Sequence, residues 1–154
     1  MWQLVINYFR KLQVYRDLSP DRGIRRQVNA QLRHRPRLSL EAWSTLFPKV
    51  KDTPISQSLF AFIYRQLYEY SGLDVGRIRA DDRLIKDLQL PLVCWFDWRN
   101  RLCDDFLNTF QVDISDDFDE SRLETVGDLL WFLHQRLQSP DSVTQRYSDR
   151  PGER

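Results

Sequence analysis

What is scarce in this chain narrows its chemistry before any motif is read. There are two histidines, His34 and His134, in separate helical stretches with no cysteine or acid at ligand spacing, so no metal site is expected and both imidazoles are expected on the surface. Two cysteines, Cys94 and Cys103, sit nine residues apart, which places them on opposite sides of one helix and argues against a disulfide. That usage suits a reducing, cytoplasmic setting. Cys94 would need a histidine brought to it in space to act as a nucleophile, and a small buried thiol is the commoner state. Five glycines, Gly23, Gly72, Gly76, Gly127 and Gly152, are too scattered to form a loop that cradles phosphate. No apolar run approaches the roughly 20 residues of a membrane span. The opening 1-MWQLVINYF-9 lacks the basic residues that precede a signal sequence's apolar part. No catalytic constellation, cofactor site or small-molecule substrate is expected.

What is abundant is aromatic and charged. The 154 residues are 42% hydrophobic, 13% aromatic and 29% charged, a globular composition with room for one domain and accessories. The net charge of +1 conceals a division. Residues 1–51 hold 11 Lys+Arg against 3 Asp+Glu (+8), whereas residues 52–138 hold 9 against 16 (−7). Such asymmetry fits either a basic arm packed across an acidic body or two parts with different electrostatic roles.

Apolar spacing predicts helices throughout, with no strand alternation and no repeat. Trp2, Val5, Ile6, Phe9 and Leu12 make one stripe over 2–18. Ser19-Pro20 then reads as the start of a basic amphipathic helix carrying Ile24, Val28 and Leu32 and ending before Pro36. A short helix opens at Ser39 and runs through Trp43 and Phe47 to Pro48. Thr53-Pro54 to Ser71-Gly72 bounds a longer one with the stripe Ile55, Leu59, Phe62, Ile63, Leu67 and Tyr70. A loop of about twenty residues follows, with Leu73, Val75, Ile78 and Leu84 as core plugs. The next helix is expected from Pro91 to Thr109 without interruption. The last opens at the Thr125/Asp128 capping box, carries Val126, Leu129, Leu130, Leu133 and Leu137, and stops at Ser139-Pro140. The remainder, DSVTQRYSDRPGER, has no apolar face and reads as a mobile tail. The acidic run 113-DISDDFDE-120 lacks the central glycine and terminal glutamate of a calcium loop and reads as a solvated turn.

Three strings in order, 78-IRADDRLIKDL-88, 104-DDFLNTFQVDI-114 and 125-TVGDLLWFL-133, make residues 53–138 resemble an acyl carrier protein over about 85 residues. The chain is also similar to uncharacterised bacterial proteins, which implies nothing about function. The resemblance implies an all-α fold: a four-helix acyl-carrier-like bundle (52–138), here with a basic helical extension (1–51) packed on it and a tail (139–154). It also implies a serine at the start of the second helix to take up phosphopantetheine, and this chain departs from the family there. Between Gly72 and Ile114 there is no serine. Counting forward from Asp87-Leu88 puts Leu92 in its place; counting back from Phe110 puts Phe96 there, because about four residues have been inserted. The resemblance therefore implies a carrier fold without the carrier's modification, acting through its surfaces.

On a continuous helix 92–110, Leu92, Trp95, Phe96, Leu102, Cys103, Phe106, Leu107 and Phe110 share one arc, and Asp97, Asn100, Arg101, Asp104, Asp105 and Asn108 fill the other side. Val93, Cys94 and Trp98 fall outside the apolar arc, where either the basic extension covers them or they form a partner-binding patch. Arg99 interrupts the arc and is expected to snorkel or to pair with Asp82 or Asp87. The leading expectation is an interaction module that docks a protein through Val93, Cys94, Trp98 and, by resemblance to carriers, the acidic Asp97, Asp104 and Asp105. The alternative is an anionic partner, nucleic acid or membrane, held by Arg22, Arg25, Arg26, Arg33, Arg35 and Arg37; the acidic body opposes it.

Overall fold

A computed structural model describes residues 20–47 and 54–139 of the chain. The first expected helix (2–18) and the tail after Ser139 lie outside the described residues. Among the described residues six α-helices form: α1 (Arg22–Leu32), α2 (Leu40–Ser44), α3 (Gln57–Ser71), α4 (Leu90–Val93), α5 (Trp98–Phe110) and α6 (Val126–Gln138). No strand occurs among the described residues, and the fold is all-α. Single 3₁₀ turns at Val75–Arg77 and Glu120–Arg122 punctuate the long connections.

Local chemistry sets most of the boundaries. Asp21 caps α1 by accepting from the Ile24 amide at 3.0 Å, so the helix starts after Asp21 and not at Ser19-Pro20. Ser39 caps α2 through the Ala42 amide, and Ser56 caps α3 through Leu59, which moves the start of α3 in from Thr53-Pro54. Gly72 ends α3 in the left-handed region at φ 67°. At α6 the Thr125 hydroxyl accepts from the Asp128 amide while the Asp128 carboxylate accepts from the Thr125 amide, a reciprocal box that satisfies two otherwise orphaned donors.

One core joins the basic extension to the acidic body. Val28, Leu32, Trp43 and Phe47 from the extension are buried in the same cluster as Leu59, Ile63, Tyr70, Leu73, Leu84, Phe106 and Leu130. Trp43 is fully enclosed; its indole N–H donates to the Ile78 carbonyl at 2.9 Å and its ring meets Phe47, Phe60 and Tyr64 edge-on. The loop plugs Leu73, Val75, Ile78 and Leu84 are buried as their apolar character predicts. Gly76 lets the extension approach: a Cβ there would lie 2.6 Å from the Leu38 carbonyl oxygen, and Leu38 donates its amide to the Gly76 carbonyl.

The expected continuous helix 91–109 is broken. It runs for Leu90–Val93, turns extended at Cys94 (φ −84°, ψ 160°) and restarts at Trp98. In an unbroken helix the carbonyls of Leu92 and Val93 would accept from the amides four residues on, Phe96 and Asp97. Here they are taken by α1: the Asp21 amide donates to Leu92 O at 2.9 Å and an Arg25 guanidinium N–H to Val93 O at 2.9 Å. A run of valine, cysteine and two aromatics has weak helical preference of its own, so nothing local resists the break.

Candidate interaction surface

The break reverses the expected faces of this helix. Val93, Cys94 and Trp98 are at most 4% exposed, while Leu92, Trp95 and Phe96 are 50%, 45% and 60% exposed. The patch expected at Val93, Cys94 and Trp98 is therefore interior, and the arc expected to face the core is divided. Leu102 and Phe106 are buried, Cys103 and Phe110 half-buried, and Leu92, Trp95, Phe96 and Leu107 turned outward. The physical reason is the phase lost at residues 94–97, which a continuous helical plot cannot represent.

Two packings enclose the interior set. α1 lies against α4, with Arg25 reaching the Val93 carbonyl, and Trp98 meets Phe118 edge-on at 6.3 Å. The basic extension is thus part of the cover. Burial pushes the Cys94 thiol up to about 12, so it stays a protonated, inert thiol in the neutral range. Cys103, within α5, is half-buried and its thiol is also raised by burial.

The outward corner is Pro91, Leu92, Trp95 and Phe96, at the junction of α4 and α5. Three large apolar side chains exposed within five residues stand apart from the scattered exposed leucines of an ordinary surface. Among the described residues, no backbone hydrogen bond is donated by the amides of Trp95, Phe96 or Asp97.

The acidic residues divide as well. Asp104 is exposed and Asp97 half-buried at the start of α5. Asp105 is committed inside: the buried Tyr70 hydroxyl donates to it at 2.5 Å, and Arg101 lies over the Tyr70 ring at 5.4 Å. Burial first, and then that bond, hold Tyr70 well above the usual phenol range. Arg99 pairs with Glu120 at 3.2 Å and not with Asp82 or Asp87.

Of the six arginines of the anionic-surface alternative, Arg25, Arg35 and Arg37 make contacts within the chain, and Arg37 stays exposed while doing so. Arg35 makes a two-pronged contact with the buried Asp82, at 2.6 and 2.8 Å, and that bond raises its already high pKa. Asp82 also accepts from the Arg79 amide at 2.7 Å. Arg37 donates to Asp74 at 2.9 Å; burial opposes ionisation of Asp74, but hydrogen bonds from Arg37 and Arg77 outweigh it and lower its pKa. Arg25 is spent on Val93. Arg22, Arg26 and Arg33 remain exposed. Basic extension and acidic body are therefore joined by specific ion pairs, one with a buried carboxylate.

His134 is buried with no partner for Nε2 among the described residues, stacked obliquely by Trp131 at 5.7 Å, where a surface imidazole was expected; His34 is exposed. No group of three or more potential metal ligands occurs among the described residues. No described helix is long and apolar enough to cross a membrane. Sequence reasoning missed Leu92, Trp95 and Phe96 as surface residues. Helical spacing put Leu92, Trp95 and Phe96 on the core face, and no local signal marks the break that exposes them. No family model, curated protein or solved structure matches the chain.

Proposed function

We propose that the chain is a non-enzymatic interaction module with an acyl-carrier-like helical arrangement that carries no phosphopantetheine and docks a protein partner. The docking surface is the corner Leu92, Trp95 and Phe96, flanked by Asp97 and Asp104. The observation that carries this reading is the exposure of all three apolar side chains at the start of the second long helical unit, where the carrier resemblance would put a serine. Large aromatics that can be fully enclosed by a partner supply most of the free energy in protein interfaces. The flanking carboxylates and the acidic body favour a partner whose docking face is basic.

Two experiments bear on it. The chain co-expressed with a phosphopantetheinyl transferase and weighed intact should show no gain matching the arm; such a gain would refute the unmodified reading. A tagged full-length chain and its Trp95→Ala/Phe96→Ala variant should melt alike yet differ in partner recovery, the variant losing what the wild type retains. Salt-sensitive binding of the wild type to DNA or anionic vesicles, lost on replacing Arg22, Arg26 and Arg33, would instead favour the anionic-surface alternative.

A further inference from the structure

The last carbonyls of a helix lack partners within it, and two of those of α4 are supplied by α1. The Asp21 amide takes Leu92 O and the Arg25 guanidinium takes Val93 O, both at 2.9 Å. A cap on these two oxygens stands where the next turn of α4 would grow. That turn has its donors ready. The amides of Trp95, Phe96 and Asp97 donate to no described backbone carbonyl. Asp97 is already near-helical (φ −96°, ψ 12°), and the extended Cys94 (ψ 160°) separates the two helices. On one continuous helix Leu92, Trp95 and Phe96 share a face with the buried Leu102 and Phe106. Growth of that turn would therefore withdraw the exposed corner.

The two ends of α1 are held unequally. Towards its C-terminal end Val28 and Leu32 lie in the core, and Asn29 bonds to the Gly72 carbonyl and the Asp74 amide. Just beyond that end Arg35 grips the buried Asp82. The first turn has no fully buried side chain and contains Gly23. Among the described residues, its hydrogen bonds to the body go to the two α4 carbonyls. Gly72 makes the seat for Arg25, since a Cβ there would lie 2.9 Å from Nε, yet Nε itself has no hydrogen-bond partner among the described residues. The first turn can thus let go while the rest of α1 stays docked.

We infer that the first turn of α1 is a latch: Asp21 and Arg25 hold residues 94–97 out of the helix, and Leu92, Trp95 and Phe96 stand outward only while both bonds are made. This rests on the reading of the corner as a docking surface and adds the residues that position it. Release joins α4 and α5 into one helix. It trades the two α1 bonds for Phe96 to Leu92 and Asp97 to Val93, and it removes the surface a partner would grip.

The test is amide hydrogen exchange in the full-length chain, resolved residue by residue by NMR. Asp21→Pro removes the amide at a φ of −76° that proline accepts, and Arg25→Met removes the guanidinium. Asp21→Ala, which loses the α1 cap but keeps the amide, is the control. In the wild type and the control, Phe96 and Asp97 should exchange fast. In Asp21→Pro/Arg25→Met they should exchange about tenfold or more slowly, because they gain helical bonds. A contact that only stabilises would give the opposite sign, faster exchange on its removal. Unchanged or faster exchange at Phe96 and Asp97, with Leu129 and Leu130 in α6 still protected, would overturn the inference. If the double variant loses protection in α6 as well, Asp21→Pro alone decides. It should slow Phe96 and leave α6 protected, and no slowing there overturns the latch. The two readings fail separately. Slowed Phe96 and Asp97 with undiminished partner recovery sinks the docking reading and leaves the latch standing. Partner recovery that depends on Trp95 and Phe96, without slowing in the latch variants, sinks the latch alone.

Discussion

Two sets of apolar residues interleave over seven positions and meet opposite fates. Val93, Cys94 and Trp98 are enclosed by α1 and Phe118, while Leu92, Trp95 and Phe96 face outward. Hydrophobicity does not separate the sets, since each holds a tryptophan and two further apolar residues. What separates them is the backbone: α1 takes the carbonyls of Leu92 and Val93, the helix stops, and the residues that follow re-enter a helix in a new phase. The interior set is fixed by packing, and the exterior set is left available for contacts the described fold does not satisfy. Stability and recognition should therefore respond to different members of one short stretch.

The sharpest way to break the comparison is to truncate one tryptophan from each set. Trp98→Ala removes a buried ring and should cost about 3–5 kcal/mol in urea or thermal unfolding. A cost below ~1 kcal/mol would mean that Trp98 is not core. Next in size, Arg35→Ala leaves the Asp82 carboxylate buried with only the Arg79 amide as a hydrogen-bond partner, and should cost about 2–3 kcal/mol. Arg25→Met keeps the aliphatic stem but removes the bond to Val93 O, a loss of about 1 kcal/mol. It should raise hydrogen exchange at Cys94 more than at Leu129, because it loosens the end of α4 and leaves α6 alone. Trp95→Ala/Phe96→Ala should change stability by no more than about 0.5 kcal/mol, although it removes more aromatic surface than Trp98→Ala.

The smallest effect lies in pH. A two-pronged hydrogen bond from Arg83, with a further bond from its amide, holds Asp87 at about 2. A carboxylate depressed in the fold contributes stability that is complete above its ordinary range and is lost as pH falls from about 4 through about 2. Arg83→Ala should lower stability slightly at neutral pH and flatten the profile across that window, so that the two chains converge as pH falls below it. Both side chains are more than a third exposed, so the change is small and shrinks with added salt.

Much of the fold was legible because its signals are local. The capping box of α6, the left-handed Gly72 and the stripes of α3 and α6 depend on residues three or four apart, and these appear where the spacing places them. Phe60 and His134 are buried additions to those stripes that the spacing did not require. The α4–α5 break was not legible because its cause is distant: an amide at Asp21 and a guanidinium at Arg25 reach across the fold to two carbonyls. The fate of the arginines follows the same rule. A sequence shows six arginines between Arg22 and Arg37, but only the fold shows that Arg25, Arg35 and Arg37 make contacts with the body.

The outward set, and not the inward one, is the recognition surface we propose. The most direct measurement is side-by-side partner recovery by tagged full-length wild type and Trp95→Ala/Phe96→Ala, with melting temperatures taken on the same preparations. The two should melt alike, with a loss of bound partner of about tenfold or more in the variant. Equal recovery by the two folded chains would contradict it.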